Sequence, residues 1–405
     1  MQEILIEKPY EFVPAIRSPF MQRFYTRTGL YVPTLKKRYG VIDHECRHLD
    51  LLRESIEAGH GIMLTPNHPR TTDPMIMCHV ARETPTPFYA MASWHLFNVG
   101  FIRTLILRLM GAFSVNREGL DRKAIDYAVE ILRTADRPLL IFPEGTTSRT
   151  NDRMMAMLDG PAFIARTAAK KRHKDNGGKV VVHPVGIKYV YQGDLENACE
   201  EVLSDIENRL TWKPEPGTPL VDRIVKIGNA LLTLKEVQFG LESVGGLTMR
   251  QRQTRLVNEL LNPLEREWLG SEQEGGVQIR IKSLRMKIFP ELTRSEVDND
   301  ERHRRWAQLE DTYLAQQIDC YPEHYLVEFP SVDRILETVE KFEEDLTDQC
   351  RLHGKMKAII DFDEAIEVQT KRDKSATTDP LMTRIRERLE AKLDKLQHES
   401  RIYQA

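Results

Sequence analysis

A histidine and an aspartate five residues apart, His68 and Asp73, stand in the stretch GIMLTPNHPRTTDP at 61–74. Histidine is the side chain best suited to take a proton near neutral pH. A carboxylate on its second ring nitrogen would fix the tautomer and stabilise the imidazolium that forms. Neighbours on one helix face lie three or four residues apart, so a spacing of five puts the pair in a turn or in the first turn of a helix. Pro69 and Pro74 favour that placement. The run Ile62, Met63, Leu64 before it reads as a buried strand, and a strand that delivers a base into a turn suits the edge of an α/β sheet. On spacing alone, a surface loop with an incidental histidine is the competing reading.

Three other apolar runs end in polar turns: GAFSVNREG at 111–119, FPEGTTSR at 142–149 and VVHPVGIKY at 181–189. Ligands gather at the carboxyl ends of parallel strands, so all four turns can share one site. Their chemistry is complementary. Arg117 and Arg149 suit an anion such as a phosphate. Gly145, Thr146 and Thr147 offer backbone and hydroxyl donors, Glu144 is an acceptor for substrate hydroxyls, and Pro184 would stiffen a wall. His183 reads as a strand-packing residue. There is no GxSxG and no His-rich metal-ligand spacing, so the residues point to neither a serine nucleophile nor a metal.

The elements that must position these turns follow from periodicity. Helices are expected at 48–58, 73–81, 121–135 and 160–172, alternating with short apolar strands. Residues 179–190 read as a strand broken or kinked at Pro184. The expected fold is α/β, a mainly parallel central sheet flanked by helices, with a large, mostly helical insertion or C-terminal subdomain. Residues 1–40 read as an irregular lead-in, 41–194 as the core carrying the four turns, and 195–350 as the helical insertion. Residues 351–405 hold a closing strand (AIIDFDEAIEV) and a final amphipathic helix with Leu381, Ile385, Leu389 and Leu393 on one stripe.

The chain has 405 residues and a formal net charge of −3, which gives no pull toward nucleic acid. Its five cysteines (Cys46, Cys78, Cys199, Cys320, Cys350) are scattered, which fits a reducing compartment. No signal peptide is evident at the N-terminus. The apolar stretch 88–102 is shorter than the ~20 residues a bilayer span needs. With Arg103 and Arg108 it fits a helix lying in a membrane interface, or equally an ordinary buried helix.

The four blocks, in order, resemble the glycerolipid acyltransferase superfamily of glycerol-3-phosphate and lysophosphatidic acid acyltransferases. NHPRTTD carries the NHx4D pattern, Gly111 and Arg117 match the second block, Phe142 to Thr146 the third and Pro184 the fourth. The resemblance implies transfer of an acyl group from acyl-CoA or acyl carrier protein to a hydroxyl of glycerol 3-phosphate or a lysophospholipid. It implies no further cofactor. His68 and Asp73 would be catalytic, with Asn67, Arg117, Glu144, Gly145, Thr146, Thr147, Arg149 and Pro184 around the acceptor. Peripheral attachment to the cytoplasmic face of a membrane is expected through residues 96–115, with help from the basic residues at 36–38 and 103–108. Thr147 stands where many members have Arg, which leaves Arg149 as a candidate substitute. The alternative is a lipid-binding scaffold that keeps the fold without the catalysis.

Overall fold

The computed structural model of the chain describes residues 5–213, 217–242, 244–293, 297–349, 351–371 and 378–404, so Cys350 lies outside the described residues. The first part runs α1 (Pro19–Thr28), α2 (Val32–Tyr39), β1 (Val41–Arg47), α3 (Leu49–Glu57), β2 (Gly61–Pro66) and α4 (Asp73–Glu83). It continues with β3 (Tyr89–Ser93), α5 (Phe101–Leu109), β4 (Ala112–Val115), α6 (Arg122–Thr134), β5 (Leu139–Leu140), α7 (Gly160–Asn176) and β6 (Val180–Tyr191). A helical stretch follows: α8 (Leu195–Arg209), α9 (Leu220–Gln238), α10 (Met249–Leu269), α11 (Val277–Leu292), α12 (Asn299–Asp319), α13 (Tyr325–Glu328) and α14 (Val332–Thr347). The chain closes with β7 (Met356–Phe362), β8 (Ile366–Glu367) and α15 (Pro380–Leu396).

The strands form one sheet in the order β1-β7-β6-β2-β5-β3-β4, with β8 also on β6. Among the described strands, β7 and β8 run antiparallel to their neighbour β6 and the other strand pairings are parallel. The closing strand β7 therefore lies between β1 and β6, and helices cover both sheet faces.

Alternation along the strands divides the core between those faces. Ile62 and Leu64 of β2 point into one layer, shared with α3, α4, α8, α9 and α14. Met63 points into the other, shared with α6, α7 and α15. The helical stretch thus splits in two. Helices α8, α9 and α14 complete the core of the sheet, while α10, α11 and α12 build a separate apolar cluster around Leu256, Leu260, Leu284 and Ile288.

Two local expectations are corrected. The lead-in contains α1 and α2, each with a proline at its start and a glycine in the left-handed region at its end, Gly29 at φ 70° and Gly40 at φ 68°. Proline costs nothing in a first helical turn, and glycine closes a helix without Cβ strain. Strand β6 is continuous through Pro184. Pro184 falls between the segment that pairs with β8 and the one that pairs with β7, where its carbonyl accepts from Asp363 N at 3.0 Å and no N–H is needed. Strand β1 was not legible as a strand, because several of its side chains face solvent.

Candidate active site

Strand β2, buried along its whole length, delivers the 67–72 turn to the carboxyl edge of the sheet. Asn67 straps the turn to β6: its Oδ1 accepts from Ile187 N at 2.7 Å and its Nδ2 donates to Ile187 O at 3.0 Å. The next residue is clamped from the β5 side. His68 N donates to Glu144 Oε1 at 2.8 Å, and His68 O accepts from Ser148 N at 2.8 Å.

The ring of His68 is held in turn. Its Nδ1 lies 2.7 Å from Asp73 Oδ2, and its face stacks on Phe142 with centroids 4.0 Å apart. Asp73 is fully buried at the first position of α4. Its Oδ2 also accepts from Arg70 N at 2.9 Å, and its Oδ1 accepts from the Tyr189 hydroxyl at 2.6 Å. A carboxylate only accepts, so Nδ1 of His68 carries the hydrogen and Nε2 presents a lone pair. Among the described residues Nε2 has no hydrogen-bond partner, and the side chain keeps 15% of its surface exposed. The arrangement Tyr189–Asp73–His68 is an oriented base with an open acceptor.

The 142–149 turn serves mainly as a brace. Gly145 sits at φ +69°, and a Cβ there would lie 2.6 Å from Leu158 Cδ1, so the tight turn requires glycine. Glu144 departs from its expected role as an acceptor for substrate hydroxyls. It is buried, and its two oxygens are taken by His68 N and, at 2.7 Å, by Met155 N. Burial pushes its carboxyl up to about 7 against the pull of those two N–H groups. Arg149 also departs from expectation. It is committed to Asp345 (2.8 Å), Glu344 (2.9 Å) and the Lys341 carbonyl (3.2 Å) of α14, which leaves it no role as a free anion ligand. Thr146 accepts from Gln316 Nε2 of α12 at 2.9 Å. Thr147 lines a cavity of about 240 Å³ with Arg70, Thr146, Arg149 and Lys341.

Arg117 follows β4, at the far edge of the sheet. Strands spaced ~4.8 Å apart put β4 about 14 Å from β2, so Arg117 shares the edge with His68 without touching it. It makes no ion pair or hydrogen bond among the described residues, and burial lowers its pKa. Pro184, paired with Thr65, belongs to the body of the sheet. His183 is a packing residue: Nε2 meets Ser55 Oγ and Nδ1 meets Asp363 O, each at 2.9 Å, and burial lowers its pKa. No group of three or more potential metal ligands occurs among the described residues.

Tyr189 and Ser148 were not anticipated. Nothing in the spacing ties residue 189 to residue 73; only the pairing of β6 with β2 brings them together.

Residues 50–188 match the protein family described as Acyltransferase. That segment runs from α3 through most of β6 and holds the 67–73, 111–119 and 142–149 stretches with all but the last residue of 181–189. Over 107 residues the chain is 34% identical to a 1-acyl-sn-glycerol-3-phosphate acyltransferase of Streptococcus pneumoniae (strain ATCC BAA-255 / R6). The aligned stretch covers 26% of this chain and 37% of that protein, little more than a third of the relative's length.

Proposed function

We propose that the chain, whose residues 50–188 match the family described as Acyltransferase, is a glycerolipid acyltransferase that moves a fatty acyl group from acyl-CoA or acyl carrier protein to a hydroxyl of a glycerol phosphate or lysophospholipid. The observation that carries this reading is the buried Tyr189–Asp73–His68 relay with an unpartnered Nε2.

The acceptor hydroxyl gives its proton to His68 Nε2 as its oxygen attacks the thioester carbonyl. Asp73 stabilises the imidazolium, and its bonds to Tyr189 and Arg70 N keep the ring in line. The C–S bond then breaks, and the leaving thiolate takes the proton back from the imidazolium. Arg117 holds the acceptor's phosphate, with Gly145, Thr146 and Thr147 shaping the wall beside it. Asn67, Glu144 and Pro184 act by fixing the turns. Holding two substrates in register supplies much of the rate.

The enzyme docks on the cytoplasmic face of a membrane. No helix of the described residues is long and apolar enough to cross one. Helix α5 instead buries none of its residues and exposes Phe101, Ile102, Leu105 and Ile106 beside Arg103 and Arg108, a pattern suited to an anionic lipid interface.

The test is mass spectrometry of products from a mixture of acyl-CoA and acyl carrier protein donors with glycerol 3-phosphate and lysophospholipid acceptors. An O-acylated phosphate-bearing product is expected. Hydrolysis of donors without any acylated acceptor would refute the proposal.

A further inference from the structure

Most of the other buried arginines among the described residues are paired with an acid. Arg223 meets Glu207, Arg280 meets Glu265, Arg305 meets Glu301 and Arg334 meets Asp152. Arg172 is capped by three backbone carbonyls. Arg285 of α11 is different. It is 6% exposed, yet its hydrogen bonds go only to neutral oxygens: Nε donates to Thr312 Oγ1 at 3.0 Å and Nη1 to Gln316 Oε1 at 3.1 Å. Its Nη2 has no partner among the described residues.

Lys282 lies three residues earlier, on the same helix face. It also forms no ion pair among the described residues, and the charge of Arg117, just beyond β4, acts on both side chains. Burial lowers the pKa of Lys282, and Arg117 lowers it further. Burial followed by Arg117 takes Arg285 down to about 10. Glu118 and Asp159 are the nearby acids; Glu118 offsets part of the effect at both Lys282 and Arg285 and Asp159 at Lys282, but neither acid forms a salt bridge with any of the three cations. Gathering three cations at partly and fully buried positions, with Glu118 and Asp159 offsetting only part of their charge, is unfavourable, and such a cluster gains most when an anion enters it.

The cluster is also wired to the catalytic turn. Gln316 accepts from Arg285 and donates to Thr146 Oγ1 at 2.9 Å, within the turn whose Glu144 holds His68. The second arginine sought in the 142–149 turn, Arg149, is spent on α14.

We propose that Lys282 and Arg285, from the helical stretch outside the matched domain, join Arg117 in binding the phosphate monoester of the acceptor. This rests on the acyltransferase reading for the identity of the acceptor. Three cations suit a dianionic monoester better than a singly charged diester or a neutral glycerolipid. The 3′-phosphate of coenzyme A has the same chemistry, so both are tested.

The experiment is calorimetric titration of the full chain with sn-glycerol 3-phosphate, inorganic phosphate and coenzyme A, without turnover. Variants are Lys282→Gln, Arg285→Gln and Arg285→Lys. Lys282→Gln and Arg285→Gln are each expected to weaken glycerol 3-phosphate and phosphate binding about tenfold or more, with Arg285→Lys recovering part of the loss. Coenzyme A binding is expected to stay within about twofold. In turnover, KM for a phosphate-bearing acceptor rises with kcat little changed, and a monoacylglycerol acceptor is unaffected. If Arg285→Gln fails to fold, Lys282→Gln, at a half-buried position, decides. Unchanged phosphate affinity in folded Lys282→Gln overturns the proposal, as does a wild type that binds none of the phosphates. Loss of coenzyme A binding alone overturns the assignment to the acceptor. Binding that depends on α11 in a protein with no acyl transfer would keep the anion site and sink only the catalytic reading.

Discussion

Replacing Asp73 by Asn removes one charge from the relay while leaving a path for its geometry to survive. Oδ2 of Asp73 meets two donors, His68 Nδ1 and Arg70 N, whereas Oδ1 meets the Tyr189 hydroxyl, which can accept as well as donate. The asparagine amide therefore settles with its oxygen toward His68 and its NH₂ toward Tyr189. The ring keeps its tautomer and loses only its counter-charge. For charge centres ~4 Å apart at an effective dielectric near 20, that interaction is about 4 kcal/mol. At about 1.4 kcal/mol per tenfold, kcat/KM falls about 10³-fold. Adding Tyr189→Phe removes the acceptor that orients the amide, so the double variant falls further. Steady-state thiol release with saturating donor measures both, and thermal melting checks that each variant folds. A folded Asp73→Asn enzyme within tenfold of wild type would refute the assignment of Asp73.

Other outcomes follow from the same geometry. His183→Asn is expected to leave kcat within about threefold while costing about 1–3 kcal/mol of stability through the contacts to Ser55 and Asp363, read by denaturant titration. Glu144 carries a carboxyl raised from 4.5 to about 7, so the folded state holds a proton that the unfolded state releases. Its contribution to stability is complete below about 4.5 and is lost as pH rises through about 7, and Glu144→Gln should flatten the pH dependence of stability across that window. Phe101→Ser with Ile102→Ser, at side chains 82% and 73% exposed, should leave thermal stability unchanged. At about 1.5–3 kcal/mol for a buried phenylalanine or isoleucine, the same pair should weaken flotation with anionic liposomes by at least tenfold.

What the sequence revealed of this site was its local part. The His68–Asp73 pair, the strand before it and the glycine turn at 145 are written in contiguous residues whose spacing restricts the backbone. The helices of the lead-in had signals too, Pro19 with Gly29 and Pro33 with Gly40, but the aromatic and proline content obscured the helical period. Contacts between distant segments were not legible. Tyr189 reaches Asp73 only because β6 extends past the end of β2. Arg149 looked like an anion ligand until α14, nearly two hundred residues on, brought Glu344 and Asp345 to it. Glu144 looked like a substrate acceptor because a motif carries no information on which backbone N–H groups will close on it. Arg285 stands in a charged helical stretch where nothing in composition separates an unpaired guanidinium from its paired neighbours.

Proton transfer from the acceptor to Nε2 of His68, as proposed, is tested by rapid-mixing thiol release with acyl donor and a phosphate-bearing acceptor, comparing wild type with His68→Ala. Loss of a general base costs about 10²–10⁴ in rate. A fall in that range is expected, with calorimetric binding of glycerol 3-phosphate retained. A folded His68→Ala protein that transfers acyl groups at the wild-type rate would contradict it.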